Sequence, residues 1–520
     1  MPRTAWGPLQ IVWFKRDLRS FDHRPLLEAS LRGPVLPLYV VEPDLWRQPD
    51  SSSRQWDFCR ECLVELRAAL AGLGQPLVVR IGSVEHVLER ARRHFGVAGL
   101  WSHQETGNGW TYARDRRVAA WARQHGIEWQ EFPHFGVTRR LTRRTGWAKR
   151  WEERMAEELI TGPARLTPLA GLDPGPLPLA ADLGLKPDSC PGRQQGGRVQ
   201  GLATLASFLD RRSRTYQVGL SSPNTAYASC SRLSPHLSWG SLSLREVVQQ
   251  NRLRRQGLAA ASWRRSLQRF DERLHWHCHF IQKLESQPSL EFSELHPLTA
   301  GLRESDSDRL AAWAEGRTGL PFVDACMRAL NATGWLNFRM RAMLLSVASY
   351  QLWLPWRESG LHLARQFVDY EPGIHWSQCQ MQSGTTGINT IRIYNPLKQG
   401  LDHDPEGLFI RHWVPELADV PAVFLHQPWM MDAASQECAG CRIGADYPAP
   451  IVDWDAAAAS ARDQIWALRG QQGFAATADA IQQRHGSRRS GLRASNSKRR
   501  VKAPPAQLSF DLMGDTCLGE

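Results

Sequence analysis

The sequence predicts an α/β domain followed by an all-helical one. Three observations carry this. Up to about residue 135, short apolar runs alternate with amphipathic stretches, as in a doubly wound, mostly parallel sheet of Rossmann-like form. From about 136 to 200 the composition turns basic and then Pro/Gly/Leu-rich, which marks a connection. From 201 to about 470 apolar residues recur at spacings of three and four, as in Phe322, Ala325, Cys326, Ala329 and Leu330, with no strand series. The expected units are 1–135, a linker 136–200, a helical domain 201–470 and a basic, disordered tail 471–520.

Within the first unit, residues 11–14, 35–41, 77–81, 98–101 and 127–132 read as buried strands. Helices are expected over about 24–31, 54–71, 84–95 and 110–125, with Ser53 and Ser83 as N-caps and Gly72 as a stop. No GxGxxG follows the first strand and no GxxxxGK[ST] occurs, which argues against a dinucleotide or nucleoside-triphosphate site of those kinds.

The chain has 520 residues, enough for more than one core. No apolar run is long enough to span a membrane, and the N-terminus lacks a secretory apolar region, so a cytoplasmic protein is expected. The ten cysteines are expected to be mostly free thiols. Cys59 and Cys62 share a helix whose apolar face runs Trp56, Cys59, Leu63, Leu66, Leu70, so they read as core. Cys438 and Cys441 are followed only by Cys517, whereas an iron–sulfur cluster needs four thiolates; no metal is expected.

The net charge is +12. Eight Lys/Arg and no acid fall in 484–502, three acids fall in 503–520, and the body is left near +7. That moderate surplus is compatible with holding phosphates. The run Arg139, Arg140, Arg143, Arg144, Lys149, Arg150 reads first as a solvated helix face, with DNA contact as the alternative.

One segment carries more information than the rest: DYEPGIHWSQCQMQSGTTGINTIRIYNP, residues 369–396. It follows GWLNFRMR (334–341) and precedes EGLFIRHWVPEL (406–417). With the opening IVWFKRDLRSFDHRPL and the blocks 216–239, 318–341 and 356–450, it resembles the photolyase/cryptochrome family, block after block in order over roughly 8–465. The resemblance implies an antenna-type α/β domain, a long linker and a helical domain that binds FAD.

It also implies site residues. Ser231, Arg232, Leu233 and Ser234 match the segment that grips the FAD diphosphate, chemistry that hydroxyls, backbone N–H groups and a guanidinium can supply. Cys230 stands where Thr is usual, and Tyr216 matches an upstream aromatic residue of the pocket. On 269–280, Trp276 matches the tryptophan that packs on the flipped lesion. Phe270 replaces a usual Trp, Arg273 a substrate-contacting Glu, and His277 an Arg. Trp335, Asn337 and Arg341 match the segment beneath the flavin, and Phe338 replaces a usual Asn. Neither Asn337 nor Phe338 is His, which argues against (6-4) chemistry. Asp369 and Glu371, flanking Tyr370, match an acidic pair near the isoalloxazine and ribityl chain, and Asp369 is expected to pair with Arg341. The residue facing flavin N5 is His375 or Ile374. Trp356 matches the middle of the photoreducing tryptophan chain. Its proximal and distal positions fall near Gln378 and Arg303, so Trp376, Trp353 and Tyr350 are candidates for a rerouted path. The second lesion-stacking Trp falls near Gln380.

The function implied is light-driven repair of cyclobutane pyrimidine dimers by electron transfer from reduced FAD. A cryptochrome-like blue-light photoreceptor is the alternative, and a flavin-free scaffold is disfavoured by the preserved acidic pair. A folate or deazaflavin antenna is expected, if any, near 103–108 (HQETGN). Damaged DNA is the expected partner, and a monomer the expected state. QLSFDL (507–512) resembles peptides that dock on the bacterial sliding clamp, and KRRVK (498–502) reads as a nuclear signal or a DNA-binding run.

Overall fold

The computed structural model describes residues 9–486. β1 (Leu9–Phe14), β2 (Val35–Val41), β3 (Val78–Ile81), β4 (Val97–His103) and β5 (Glu128–Phe132) form one parallel sheet in the order β3-β2-β1-β4-β5. β1 and β2 are buried throughout, and so are continuous apolar runs rather than alternating ones. β1 pairs with β2 on one side (Gln10 opposite Val35) and with β4 on the other (Gln10 opposite Gly99). The strand order therefore reverses at β1, opening a crevice at the carboxyl ends of β1 and β4.

Helices Arg24–Ser30, Ser53–Gly72, Val84–Phe95 and Gly109–Gln124 cover the faces of the sheet. Ser83 caps the third through His86 N, as expected. The second is capped by Ser52 instead of Ser53: a capping box with Gln55 decides the position. Cys59 and Cys62 lie in the core of this domain.

The connection meets the β3 edge. Val79 N donates to Pro174 O (2.8 Å), which covers part of the edge, and Leu166 N donates to Leu73 O (2.7 Å) at the end of the preceding helix. The basic run meets the solvated-helix expectation only at Lys149 and Arg150, which are exposed on a helix. A helix begins only at Trp147 (Trp147–Ala156), and Arg139 and Arg144 lie in the loop before it. That loop is pinned to the long helix Ala261–Ser286: Thr138 N donates to Gln282 Oε1 (2.7 Å) and Gln282 Nε2 returns a bond to Thr138 O (2.9 Å). Arg139 is thereby turned onto Glu131 and Glu105 O, and Arg144 is left only 8 % exposed.

The helical domain packs around that long helix. Its closest partner is Pro372–Ser383, and Gly373 permits the approach, since a Cβ there would lie 2.6 Å from Ile281 Cα. The expected disorder from 471 does not hold at once: Phe474–His485 is a helix. Phe474 stacks on His296 at 3.9 Å and Ile481 is buried, so the segment has an apolar stripe to dock. The 498–502 run, 507–512 and Cys517 lie outside the described residues. Cys438 is exposed and Cys441 buried. Among the described residues no helix is long and apolar enough to cross a membrane.

The KRDLR turn after β1 clasps the two domains together. Arg16 donates to Ser238 O (2.9 Å), Ser238 Oγ and Tyr370 O (2.6 Å), and lies over Trp239. Arg19 donates to Gly240 O (3.0 Å). Gly240 has φ +68°, and a Cβ on it would sit 2.2 Å from Arg16 O, so glycine is required twice over. From the other side, Tyr370 Oη donates to Asp50 Oδ2 (2.6 Å) and Gln55 Nε2 to Ala364 O (2.8 Å).

Candidate functional site

Arg341, on the helix Phe338–Ser346, and Asp369 form the bidentate pair the sequence leads one to expect, at 3.0 and 2.8 Å. Arg341 is fixed further by Leu336 O (2.6 Å) and by lying over the Phe367 ring at 4.0 Å. Asn337 Nδ2 donates to Leu220 O (3.1 Å) and Ser221 O (2.8 Å), while its buried Oδ1 has no partner. Arg232 has φ +57° and is held between the rings of Tyr227 (4.1 Å) and Trp335 (4.5 Å). Ser231 Oγ accepts from Leu233 N at 3.5 Å, and Ser234 opens the short helix Ser234–Ser238.

Cys230 reports the field of this cluster. Burial pushes its thiol up to about 11, against the downward pull of Arg232, Arg212, Arg273 and Arg341. Arg212 also donates to Cys230 O and to Ser231 O (3.1 Å). Four guanidiniums thus meet around one segment, with Asp369 as the carboxylate among them. Tyr216 and Phe270 form the apolar wall with Phe208, at ring separations of 4.7–5.9 Å, and Arg273 acts on the Tyr216 hydroxyl. This donor set fits an FAD: excess cation for a diphosphate, an orphaned acceptor at Asn337, and aromatic walls. Arg212 escaped the sequence reading, although the acid-free run Arg211–Arg214 was its visible signal.

Several expected site residues are turned elsewhere. Tyr370 points into the α/β domain, onto Asp50. Glu371 faces Arg16 at 3.5 Å and lines a small interdomain cavity with His103, His134 and Phe135. Burial pushes its carboxyl up to about 7 despite Arg16, and its Oε1 has no partner. Both partners, Asp50 and Arg16, lie hundreds of residues away, which is why local sequence misplaced these side chains. His375 donates through Nε2 to Gly360 O (2.8 Å), away from the cluster, and burial pushes it down to about 4. Ile374, a helical step of about 100° away, packs instead against the hydrophobic cluster to which Tyr216 and Phe270 belong. His277 packs edge-on to Phe135 at 5.0 Å. Gln380 is fully buried and its amide is consumed by Leu290 O, Ser293 O, Leu295 N and Thr385 Oγ1, so it lines no substrate cavity.

Among the tryptophans, Trp356 and Trp376 meet edge to face at 5.9 Å, both buried. Arg303 lies between Tyr350 (5.5 Å) and Trp353 (4.8 Å). Trp276 is half-buried on the long helix, against Phe280 (5.7 Å) and His279 (4.9 Å).

A buried cluster the sequence did not reveal sits at the sheet crevice. Asp17 Oδ2 accepts from His23 Nε2 (2.9 Å) and His103 Nδ1 (2.7 Å). These three offer ligand atoms within 4.8 Å of one another. His23 Nδ1, however, accepts from Leu26 N (3.1 Å), which puts the imidazole proton on Nε2 and commits it to Asp17. That tautomer suits a hydrogen-bonded triad better than a metal. Beside it, Glu105, Gly107 and Asn108 of the 103–108 segment line a cavity of about 70 Å³ walled by Trp13, Tyr39, Trp46, Trp239 and Tyr370.

Residues 10–139 match the family model described as DNA photolyase, and residues 270–467 that of the FAD binding domain of DNA photolyase. A deoxyribodipyrimidine photo-lyase of Streptomyces griseus is 30% identical, the match covering 85% of this chain and 96% of the relative. The chain belongs to the photolyase/cryptochrome family. Its helical domain is that family's FAD-binding domain, and FAD is its cofactor. A Cryptochrome DASH of Gloeobacter violaceus is also 30% identical, over 85% of this chain and 93% of its own length. The crystal structure of a bacterial class III photolyase from Agrobacterium tumefaciens superposes with a TM-score of 0.80 at 25% identity, covering 89% of this chain and 98% of that one. Relatives named photo-lyase and relatives named cryptochrome are thus similarly near to this photolyase-family chain.

Proposed function

We propose that this chain repairs cyclobutane pyrimidine dimers in DNA with light. The observation that carries the reading is the half-buried Trp276, presented on the long helix one turn from Arg273, an arginine of the cradle. A flipped dinucleotide needs an aromatic face to stack on and cations for its phosphates. Reduced FAD, when bound, supplies light absorption and the electron that opens the cyclobutane ring, with no net redox change.

The residues around it hold and shield. Arg232, Arg212 and the 230–234 segment take the diphosphate. Arg341, locked by Asp369, orients the isoalloxazine, and Asn337 Oδ1 accepts from a flavin or ribityl donor. Ile374 faces the ring and keeps water from it. Trp376 and Trp356 form the inner part of the electron path that keeps the flavin reduced. An antenna chromophore, where one binds, would sit at the aromatic cavity beside Glu105 and Asn108. The peptide 507–512 would tether the enzyme to a sliding clamp.

A photoreceptor reading is favoured by one feature: Arg273 and the buried Gln380 replace expected lesion contacts. Illumination of the reduced protein with a dimer-bearing oligonucleotide, beside a dark control, decides between them. Dimer loss only in light is expected; flavin that cycles in light while dimers persist would overturn repair.

A further inference from the structure

The long helix carries a second cationic feature beyond the flavin cradle. Lys283 is 9 % exposed, and its ammonium lies over the Phe280 ring at 5.0 Å. Arg144 reaches it from the interdomain loop. Two of the Arg144 nitrogens, Nε and Nη1, are buried without any acceptor, and the third makes one long bond to His279 O (3.5 Å). His279 lies beside them, and His485 comes from the Phe474–His485 helix with its Nδ1 buried and unpartnered.

Among the described residues, neither Arg144 nor Lys283 has a carboxylate within ion-pair reach. The charges acting on Lys283, His279 and His485 are all cationic: Arg144, Arg484 and one another, with His275 acting on His279. Burial pushes Arg144 down to about 10 and, with Arg144 helping, Lys283 down to about 8. A guanidinium cannot escape by giving up its proton, so an unpaired one in the interior costs several kcal/mol. A fold tolerates that when an anion completes the site.

Position says which anion. Trp276, His279, Phe280 and Lys283 recur at helical spacing and form one stripe, so the cations lie roughly 10 Å along the axis from the half-buried indole. Arg140 and Arg143, both exposed, flank the loop that delivers Arg144.

We propose that Arg144 and Lys283, backed by His279 and His485, form a phosphate site that takes a backbone phosphate of the nucleic-acid strand stacked on Trp276. The choice of strand phosphate rests on the repair reading; the site itself does not. Free inorganic phosphate has the same chemistry, and the test separates the two sources.

The test uses the full-length flavoprotein, Arg144→Gln, Lys283→Met and the double variant, with bound FAD per chain as the check on folding. Two quantities are measured in the dark. The first is melting temperature in phosphate against chloride at equal ionic strength. The second is affinity for an undamaged single-stranded oligonucleotide across a salt series. Phosphate is expected to raise the melting temperature of the wild type and not of the double variant. Without phosphate the variant should melt no lower, because it no longer buries an unpaired charge. Oligonucleotide affinity should drop about tenfold at low salt, and the log–log salt slope should shrink by about 0.7 for each strand phosphate that the variant leaves un-neutralised. Phosphate protection with unchanged oligonucleotide binding would assign the site to free phosphate and overturn the strand source. Unchanged behaviour in both arms, or a variant destabilised alike in phosphate and chloride, would overturn the site. No arm needs light or a lesion, so a failure of repair would leave this result standing.

Discussion

Cys230 stands where four arginines converge, and the Arg341–Asp369 pair is the member of that group whose removal is easiest to read. Asp369→Asn leaves the half-buried Arg341 without its counter-charge, a loss of about 1–3 kcal/mol, below that of a fully buried pair broken on one side. The variant should purify with little FAD, measured as flavin absorbance per chain; full occupancy would mean the pair does not shape the cradle. Trp376 is wholly buried and touches Trp356, the arrangement that the proposed electron path uses. Trp376→Phe should slow photoreduction of bound flavin by at least about tenfold, a barrier rise of only ~1.4 kcal/mol, followed as bleaching under steady blue light. An unaltered rate would send the path through other tryptophans.

At the scale of elements, the KRDLR turn and the strand ends of β1 and β4 are where the domains lock. Gly240→Ala would force a Cβ onto Arg16 O in a left-handed backbone, a strain of about 1–3 kcal/mol before any clash is counted. A lower melting temperature and faster proteolysis between the domains are expected; a neutral substitution would mean the clasp is not needed. The buried triad makes the same region acid-sensitive. Burial first, then neighbouring His23, pushes His103 down to about 3 from the 6.5 of an open chain. Between those values the unfolded chain binds a proton that the folded one refuses. Stability is therefore full above pH 6.5 and falls with pH toward 3, by up to ~1.4 kcal/mol per pH unit for this one group. His103→Asn keeps a donor for Asp17 and removes the proton site, so its melting temperature should depend less steeply on pH over that window. An equal slope would place the sensitivity elsewhere.

For the whole molecule, the tail is the part with its own test. Deleting 503–520 should abolish binding to a sliding clamp while light-driven repair of free oligonucleotides continues; retained clamp binding would end the tether reading. The rest of the molecule separates cleanly into what local sequence determines and what it does not. Alternating apolar and amphipathic stretches determined the parallel sheet and its helices to within a residue or two; the reason is burial on both faces for β1 and β2, whereas the edge strand β5 is only half-buried, against the expectation of a buried strand. Blocks in order determined the family, the flavin domain and the Arg341–Asp369 pair, since those residues sit in short segments whose own backbone sets their direction. Tertiary structure alone decided that Tyr370 and Glu371 turn to Asp50 and Arg16, that His375 faces Gly360 while Ile374 packs on the hydrophobic cluster that contains Tyr216 and Phe270, and that Arg144 is buried rather than solvated. It also decided the triad of Asp17, His23 and His103. Each of these depends on a partner delivered from another element, and side-chain direction at a domain boundary follows that partner rather than the neighbouring residues in the chain.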